Sequence, residues 1–205
     1  MIRYLTVKKE AIAEYEIQRS KFISRIARVE SREEAEAYVA QIRELHRDAT
    51  HNVAAFIVGE KGEIQWATDD GEPQGSSGPP ILQMLAREGL SNVVCVVTRY
   101  FGGIKLGVGG LVRAYTMAAK LALEAAGIHE ARDVCSLQVE IPYTALGTFQ
   151  HLEKDGYYKI EEINYTDKVE LLVSTEPENR DRVVSLLSEL SAGNVEIKRE
   201  WEEII

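Results

Sequence analysis

Apolar and polar positions alternate in short runs from the start of the chain. Residues 11–18 and 21–29 carry such runs, the second with Phe22, Ile23 and Ile26, and they predict two strands. The period then changes. Ala35, Tyr38, Val39, Ile42 and Leu45 recur at helical spacing behind Ser31 and Glu34, the pair of a capping box. Residues 52–58 and 63–68 predict a hairpin turning at Lys61-Gly62. A Gly/Pro-rich loop over 69–79 leads into a short helix with Ile81, Leu82, Met84 and Leu85. The continuous apolar run 92–98 reads as a strand buried on both faces. After a second glycine-rich loop, an Ala-rich helix runs from Gly110 to about Ala126 and is closed by Gly127. Strands and helices do not keep a strict β-α-β-α rhythm here, so an α+β sandwich is expected rather than a doubly wound sheet.

The last third has a plainer pattern. Residues 134–141 alternate as a strand, 143–154 are helical, and 157–165 with 168–175 predict a hairpin. Pro177 opens a helix with Val183, Val184, Leu186, Leu187 and Leu190, and residues 195–203 alternate again. The order β-α-β-β-α-β over about 70 residues is that of a ferredoxin-like module. Two domains are therefore expected, at residues 1–130 and 134–205.

Composition bounds the class. The chain has 205 residues, 45% hydrophobic and 28% charged, which is enough to build two buried cores and too apolar for disorder. The longest apolar stretch, 111–126, is interrupted by Arg113 and Lys120, so no membrane span is expected. Lys8, Lys9 and Glu10 interrupt the start before any long apolar run, which predicts no signal peptide. Two cysteines forty positions apart suit neither a disulfide framework nor a metal site. A soluble, cytoplasmic protein without a metal or cofactor is the expectation. The net charge of −9 is unevenly spread: residues 1–135 hold 18 acids and 17 bases, and residues 136–205 hold 15 acids and 7 bases. The open face of the C-terminal module, with Glu140 and Glu170 on its strands, is thus a poor RNA platform and a better protein-docking surface.

Candidate chemistry gathers in the two glycine-rich loops, since nine of the fifteen glycines fall between positions 71 and 110. Positions 89–123 contain no acid and carry Arg99, Lys105, Arg113 and Lys120. Gly102, Gly103, Gly107, Gly109 and Gly110 allow backbone N–H groups to approach a ligand, and the helix that follows offers its positive end. Together with Ser76 and Ser77 these residues form a candidate site for an anion or a nucleic-acid backbone. Neither a Walker loop nor a dinucleotide fingerprint fits, because Val108 follows Gly107 and Val112 replaces the third glycine. In the other loop, Asp69, Asp70 and Glu72 are candidate acid/base groups. Asp70 and Glu72 converge only if Gly71 turns the chain. Asp69 or Asp70 paired with Arg99 or Arg113 is a further arrangement, and Ser76 or Ser77 is expected to cap the next helix. His51, oriented by Asp48, is a candidate general base. Cys95 lies in an apolar strand and reads as core.

The run Val93 to Tyr115, V-V-C-V-V-T-R-Y-F-G-G-I-K-L-G-V-G-G-L-V-R-A-Y, resembles the signature of the YigZ/IMPACT family. D-D-G-E-P-Q-G-S-S-G-P-P from Asp69 to Pro80 is similar to its second block, and Arg19 to Ile23 and Ala49 to His51 to two weaker ones. The resemblance implies an N-terminal domain with the ribosomal-protein-like βαβ fold shared with GHMP kinases. It also implies a ferredoxin-like C-terminal domain similar to elongation factor G domain V. It carries over no catalytic residue. Eukaryotic members, which have an additional RWD domain not found in these 205 residues, regulate translation under amino-acid starvation by binding the activator of an initiation-factor kinase. The expected function is a non-enzymatic, translation-associated factor that meets the ribosome or RNA through the glycine-rich basic loop. The alternative is an enzyme acting on a phosphorylated or carboxylated small molecule.

Overall fold

The computed structural model describes residues 2–205, which form two compact units, Arg3–Glu130 and Ala131–Ile205. The architecture is α+β in both. In the N-terminal unit, β2 (Ala11–Ile17), β3 (Ser20–Arg28), β4 (His51–Val58), β5 (Ile64–Thr68) and β6 (Val93–Tyr100) make one sheet of order β2-β3-β6-β4-β5. Every neighbouring pair is antiparallel. Helices α1 (Arg32–Leu45), α2 (Gly78–Arg87) and α3 (Val108–Ala126) cover it on both faces. β1 (Ile2–Val7) joins this unit through the Ser91 N–H to Leu5 C=O bond and the Thr6 hydroxyl on the Asn92 carbonyl.

Strand alternation sorts the core into two layers. Val93, Cys95 and Val97 of β6 pack with Phe22, Ile26 and Val53 against Ile81 and Leu85 of α2 and Tyr115, Ala118 and Ala122 of α3. The intervening Val94 and Val96 turn to the other face, with Ala54 and Phe56, and meet Ala35, Val39 and Ile42 of α1. This is why the 92–98 run has no polar beat. Burial pushes the Cys95 thiol up to about 12, as suits a core residue.

The caps of α1 and α2 depart from the sequence reading. At α1, Ser31 Oγ accepts from the Glu34 N–H, but Glu34 reaches back to the Glu30 N–H, one residue before the cap. At α2, Ser77 holds the cap position without a side-chain cap bond. The cap is supplied from eight residues upstream. Asp69 Oδ1 accepts the N–H groups of Ser77 and Gly78 and the Ser77 hydroxyl, while Oδ2 accepts the Gly75 N–H.

The C-terminal unit takes its first strand from β7 (Ile128–Ile141), followed by α4 (Tyr143–Leu152), β8 (Tyr158–Tyr165), β9 (Val169–Thr175), α5 (Arg180–Leu190) and β10 (Glu196–Ile204). Within a five-stranded sheet in which β1 also pairs with β7, these four strands lie in the order β10-β7-β9-β8, each neighbouring pair antiparallel, which is the ferredoxin-like arrangement. Leu137, Val139, Ile141, Leu171 and Val173 pack against Phe149 of α4 and Val183 and Leu187 of α5. No helix among the described residues is long and apolar enough to cross a membrane.

Candidate functional site

A cleft of about 380 Å³ opens in the N-terminal unit where three segments meet. They are the start of β4 (Thr50, His51), the loop after β5 (Glu72, Pro73), and the span from the end of β6 into α3 (Arg99, Phe101, Lys105, Leu106, Gly107, Val108, Leu111). The register explains the meeting, because His51 and Arg99 are direct cross-strand partners.

A buried ion pair forms part of its lining. Arg99 Nη1 donates to Glu72 Oε1 at 2.6 Å, with side chains only 5% and 4% exposed. The Tyr115 hydroxyl donates to the same oxygen at 2.7 Å, and Arg99 Nη2 donates to Ser20 Oγ at 3.3 Å. The Phe22 and Phe101 rings lie 5.4 and 5.2 Å from the guanidinium carbon. Arg99 Nε has no hydrogen-bond partner among the described residues. Burial, reinforced by the Glu72 carboxylate, pushes the Tyr115 phenol far above its ordinary range, so it stays a protonated donor. Arg99 is therefore a fixed internal cation, held by Glu72 and Ser20 and nearly closed to solvent.

The acidic loop divides its three carboxylates among three tasks. Gly71, at φ +86°, does turn the chain, and Asp70 also lies in the left-handed region at φ +46°. The turn separates the carboxylates instead of pairing them. Asp69 caps α2. Burial alone would raise its pKa, but the hydrogen bonds from Ser77, Gly75 and Gly78 outweigh that and hold it below the usual range. Asp70 accepts the Asn52 N–H at 2.6 Å and meets Arg43 at 3.2 Å. Only Glu72 reaches the cleft, and it, rather than Asp69 or Asp70, is the partner of Arg99. Asp48 does not orient His51: it accepts from the Tyr100 hydroxyl, and His51 Nδ1 bonds the Asp70 carbonyl at 2.8 Å. Among the described residues, no three His, Cys, Asp or Glu side chains converge as a metal site.

The glycine-rich basic loop is likewise heterogeneous. Gly102 is needed for close packing, since a Cβ there would lie 1.9 Å from the Arg19 carbonyl oxygen. Arg19 and Gln18 form the β2–β3 turn, both at positive φ. Ser20 Oγ also accepts the Gly102 N–H at 3.2 Å, which ties the loop to that turn. Gly103 is open to its surroundings, and Gly107, at φ +70°, precedes α3. Helix α3 begins two residues earlier than expected, so Gly109 and Gly110 belong to its first turn. The N–H groups of Val108, Gly109 and Gly110 precede the first helical bond, Leu111 to Gly107, and no side chain caps them. No acid lies in that turn. Lys105 lines the cleft and makes no ion pair among the described residues, whereas Arg113 lies outside the lining. Ser76 and Ser77 are fully buried, bonded to the Pro73 carbonyl and to Asp69, and are closed to a ligand.

The structure thus brings together His51, Glu72, Arg99, Lys105 and Gly107, and leaves Asp69, Asp70, Ser76, Ser77 and Arg113 elsewhere. Sequence reasoning missed Tyr115, Ser20 and Phe101. Tyr115 was signalled only by a phenol on an apolar helical face, which needs a buried partner.

The Impact N-terminal domain profile matches residues 18–123, and a domain of unknown function, DUF1949, matches residues 139–194. The chain is 37% identical to the IMPACT family member YvyE of Bacillus subtilis, over 95% of this chain and 90% of that one. It is 32% identical to an IMPACT family member of Haemophilus influenzae, over 97% of both. A crystal structure of a hypothetical protein superposes with a TM-score of 0.61 at 29% identity, covering 95% of each chain. The signature segments that shape the cleft lie within the matched domain, and this chain belongs to the IMPACT family.

Proposed function

We propose that this chain is a translation-associated regulatory factor whose N-terminal unit binds the phosphate of a nucleotide or an RNA in the cleft. One observation carries the binding part: the uncapped, acid-free N-terminus of α3 and the unpaired Lys105 face the same cleft as Arg99. Such a helix end attracts anions, and a lysine without a partner adds to that field. Phe101 lines the cleft as well and is 44% exposed, which gives a base a ring to stack on. The volume suits a ligand of mononucleotide size. The translation context is what membership of the family implies, with the ribosome or ribosomal RNA as the setting. The acidic C-terminal unit is the protein-docking half of the same factor.

The enzyme reading draws on His51 and Glu72 lining one cleft. Glu72 Oε1 already accepts from Arg99 and Tyr115, so binding is the better-supported reading.

Lys105 is exposed and outside the core, so Lys105→Glu tests the reading without disturbing the fold. Affinity for a short single-stranded RNA should fall roughly tenfold or more, with a shallower salt dependence. An unchanged affinity and salt slope overturns the proposal.

A further inference from the structure

The His51 ring is held in one orientation by a group that can only accept. Nδ1 lies 2.8 Å from the Asp70 carbonyl oxygen, so Nδ1 carries a hydrogen and the variable site is Nε2. Nε2 lies 3.7 Å from Glu72 Oε1, too far for a hydrogen bond to that oxygen. That oxygen is already served by two donors, Arg99 Nη1 and the Tyr115 hydroxyl. The ring is 18% exposed and lines the cleft. Among the described residues Nε2 has no hydrogen-bond partner, and a proton there adds a donor and a charge beside the ligand.

Three sources of positive potential then reach one cleft from separate elements: His51 from β4, Lys105 from the loop, and the first turn of α3. Donors on separate elements suit an acceptor whose oxygens diverge. A terminal phosphoryl group offers three such oxygens and two negative charges near neutral pH, while an internal phosphodiester offers two oxygens and one charge. We infer that the cleft selects a terminal phosphomonoester, and that His51, protonated on Nε2, is the group that reads its second charge. This rests on the proposed binding of phosphate in the cleft and names the form of phosphate bound. The charged groups facing the ring are Glu72 and Asp70 from the acidic loop, Arg99 from β6, and Lys105 across the cleft. Glu72 is neutralised by Arg99, and Asp70 by Arg43, so the imidazolium remains available to the ligand.

Sulfate is the suitable probe, because it is tetrahedral and keeps both charges throughout the range in which histidine titrates. Its affinity for the full chain should fall about tenfold from pH 5 to 8, the span of an imidazole's charge loss. Dimethyl phosphate, a diester monoanion, should bind more weakly and without that pH dependence. In His51→Gln the sulfate affinity should become flat with pH. In the unsubstituted protein, NMR of the His51 ring should show sulfate retarding its deprotonation, a readout independent of whether the variant folds. If sulfate binds equally at both ends of the range, or no better than dimethyl phosphate, the inference fails and the phosphate site stands. If neither anion binds at any pH, both fall.

Discussion

Two arginine–glutamate pairs, Arg99–Glu72 in the N-terminal unit and Arg180–Glu200 in the C-terminal unit, place the same chemistry in opposite surroundings. Arg180 and Glu200 have the better geometry. Two parallel bonds join them, Nε to Oε1 at 2.9 Å and Nη2 to Oε2 at 2.7 Å. Arg99 and Glu72 share one such bond and depend on Tyr115 and Ser20 for the rest. The side chains of the first pair are nearly sealed, and those of the second are about a third exposed. Burial rather than bond count decides which pair the fold depends on, because only a buried charge becomes a liability when its partner goes. The comparison also separates charge from chemistry. The C-terminal unit holds most of the excess negative charge and folds on an apolar core. The nearly balanced N-terminal unit keeps a polar cluster inside and the cleft above it.

The largest effect should follow Glu72→Ala, which strands the Arg99 guanidinium and the Tyr115 hydroxyl. A loss of about 3–5 kcal/mol is expected for the N-terminal unit. The two tryptophans give a direct readout, since Trp66 lies in one unit and Trp201 in the other. In a Trp201→Phe background, guanidinium unfolding followed at Trp66 reports the N-terminal unit alone. A loss under about 1 kcal/mol, the value of an exposed pair, would erase the distinction drawn above.

An intermediate effect is expected at Asp69, whose carboxylate caps α2. Asp69→Ala should cost the N-terminal unit roughly 1–2 kcal/mol, in the range of lost helix caps. The pH dependence has a definite sign. The folded carboxylate titrates below its unfolded value, so its contribution is complete above the unfolded pKa and is lost as pH falls through the folded one. Unfolding midpoints measured downward from about pH 5 should drop more steeply in the parent than in the variant. Parallel curves would show that the cap contributes nothing.

The smallest effect belongs to Arg180→Ala, despite the well-formed pair it removes. Water screens a pair exposed to this degree, and a change of about 0–1 kcal/mol is expected, read at Trp201 in a Trp66→Phe background. A larger loss would mean that geometry outweighs burial here.

Local pattern carried most of the architecture. The ferredoxin-like order was legible because each strand of 134–205 alternates and each helix has its own Pro or Gly punctuation. The 92–98 run was legible as a doubly covered strand for the opposite reason, its lack of any alternation. The site was legible only as two loops rich in unusual residues. Glycine spacing and the absence of acids between positions 89 and 123 pointed to segments that line the cleft. The division of labour within them was not available, because it depends on pairings across long separations. Glu72 meets Arg99 27 positions away and Tyr115 43 positions away. Asp69, Asp70 and Glu72 are nearly equivalent as a sequence, and only the turn at Asp70-Gly71 makes one a cap, one a tether and one a member of the cleft. Ser77 sits at the N-cap position, yet Asp69 makes the bonds, since a carboxylate folded back over the turn can accept several N–H groups at once.

The Ser20 hydroxyl holds Arg99 from one side and the Gly102 N–H from the other. One small side chain at the end of a hairpin thus joins a wall of the cleft to the loop at its rim. The Gly102 contact with the Arg19 backbone leaves no room for that loop to close further on the hairpin. Occupancy of the cleft then requires little rearrangement there, and its ordering cost falls on the folding of the chain rather than on the arrival of a ligand. For the phosphate proposed above, a cleft held this way predicts discrimination by fit, with a change of ligand answered by dissociation rather than by a change of shape.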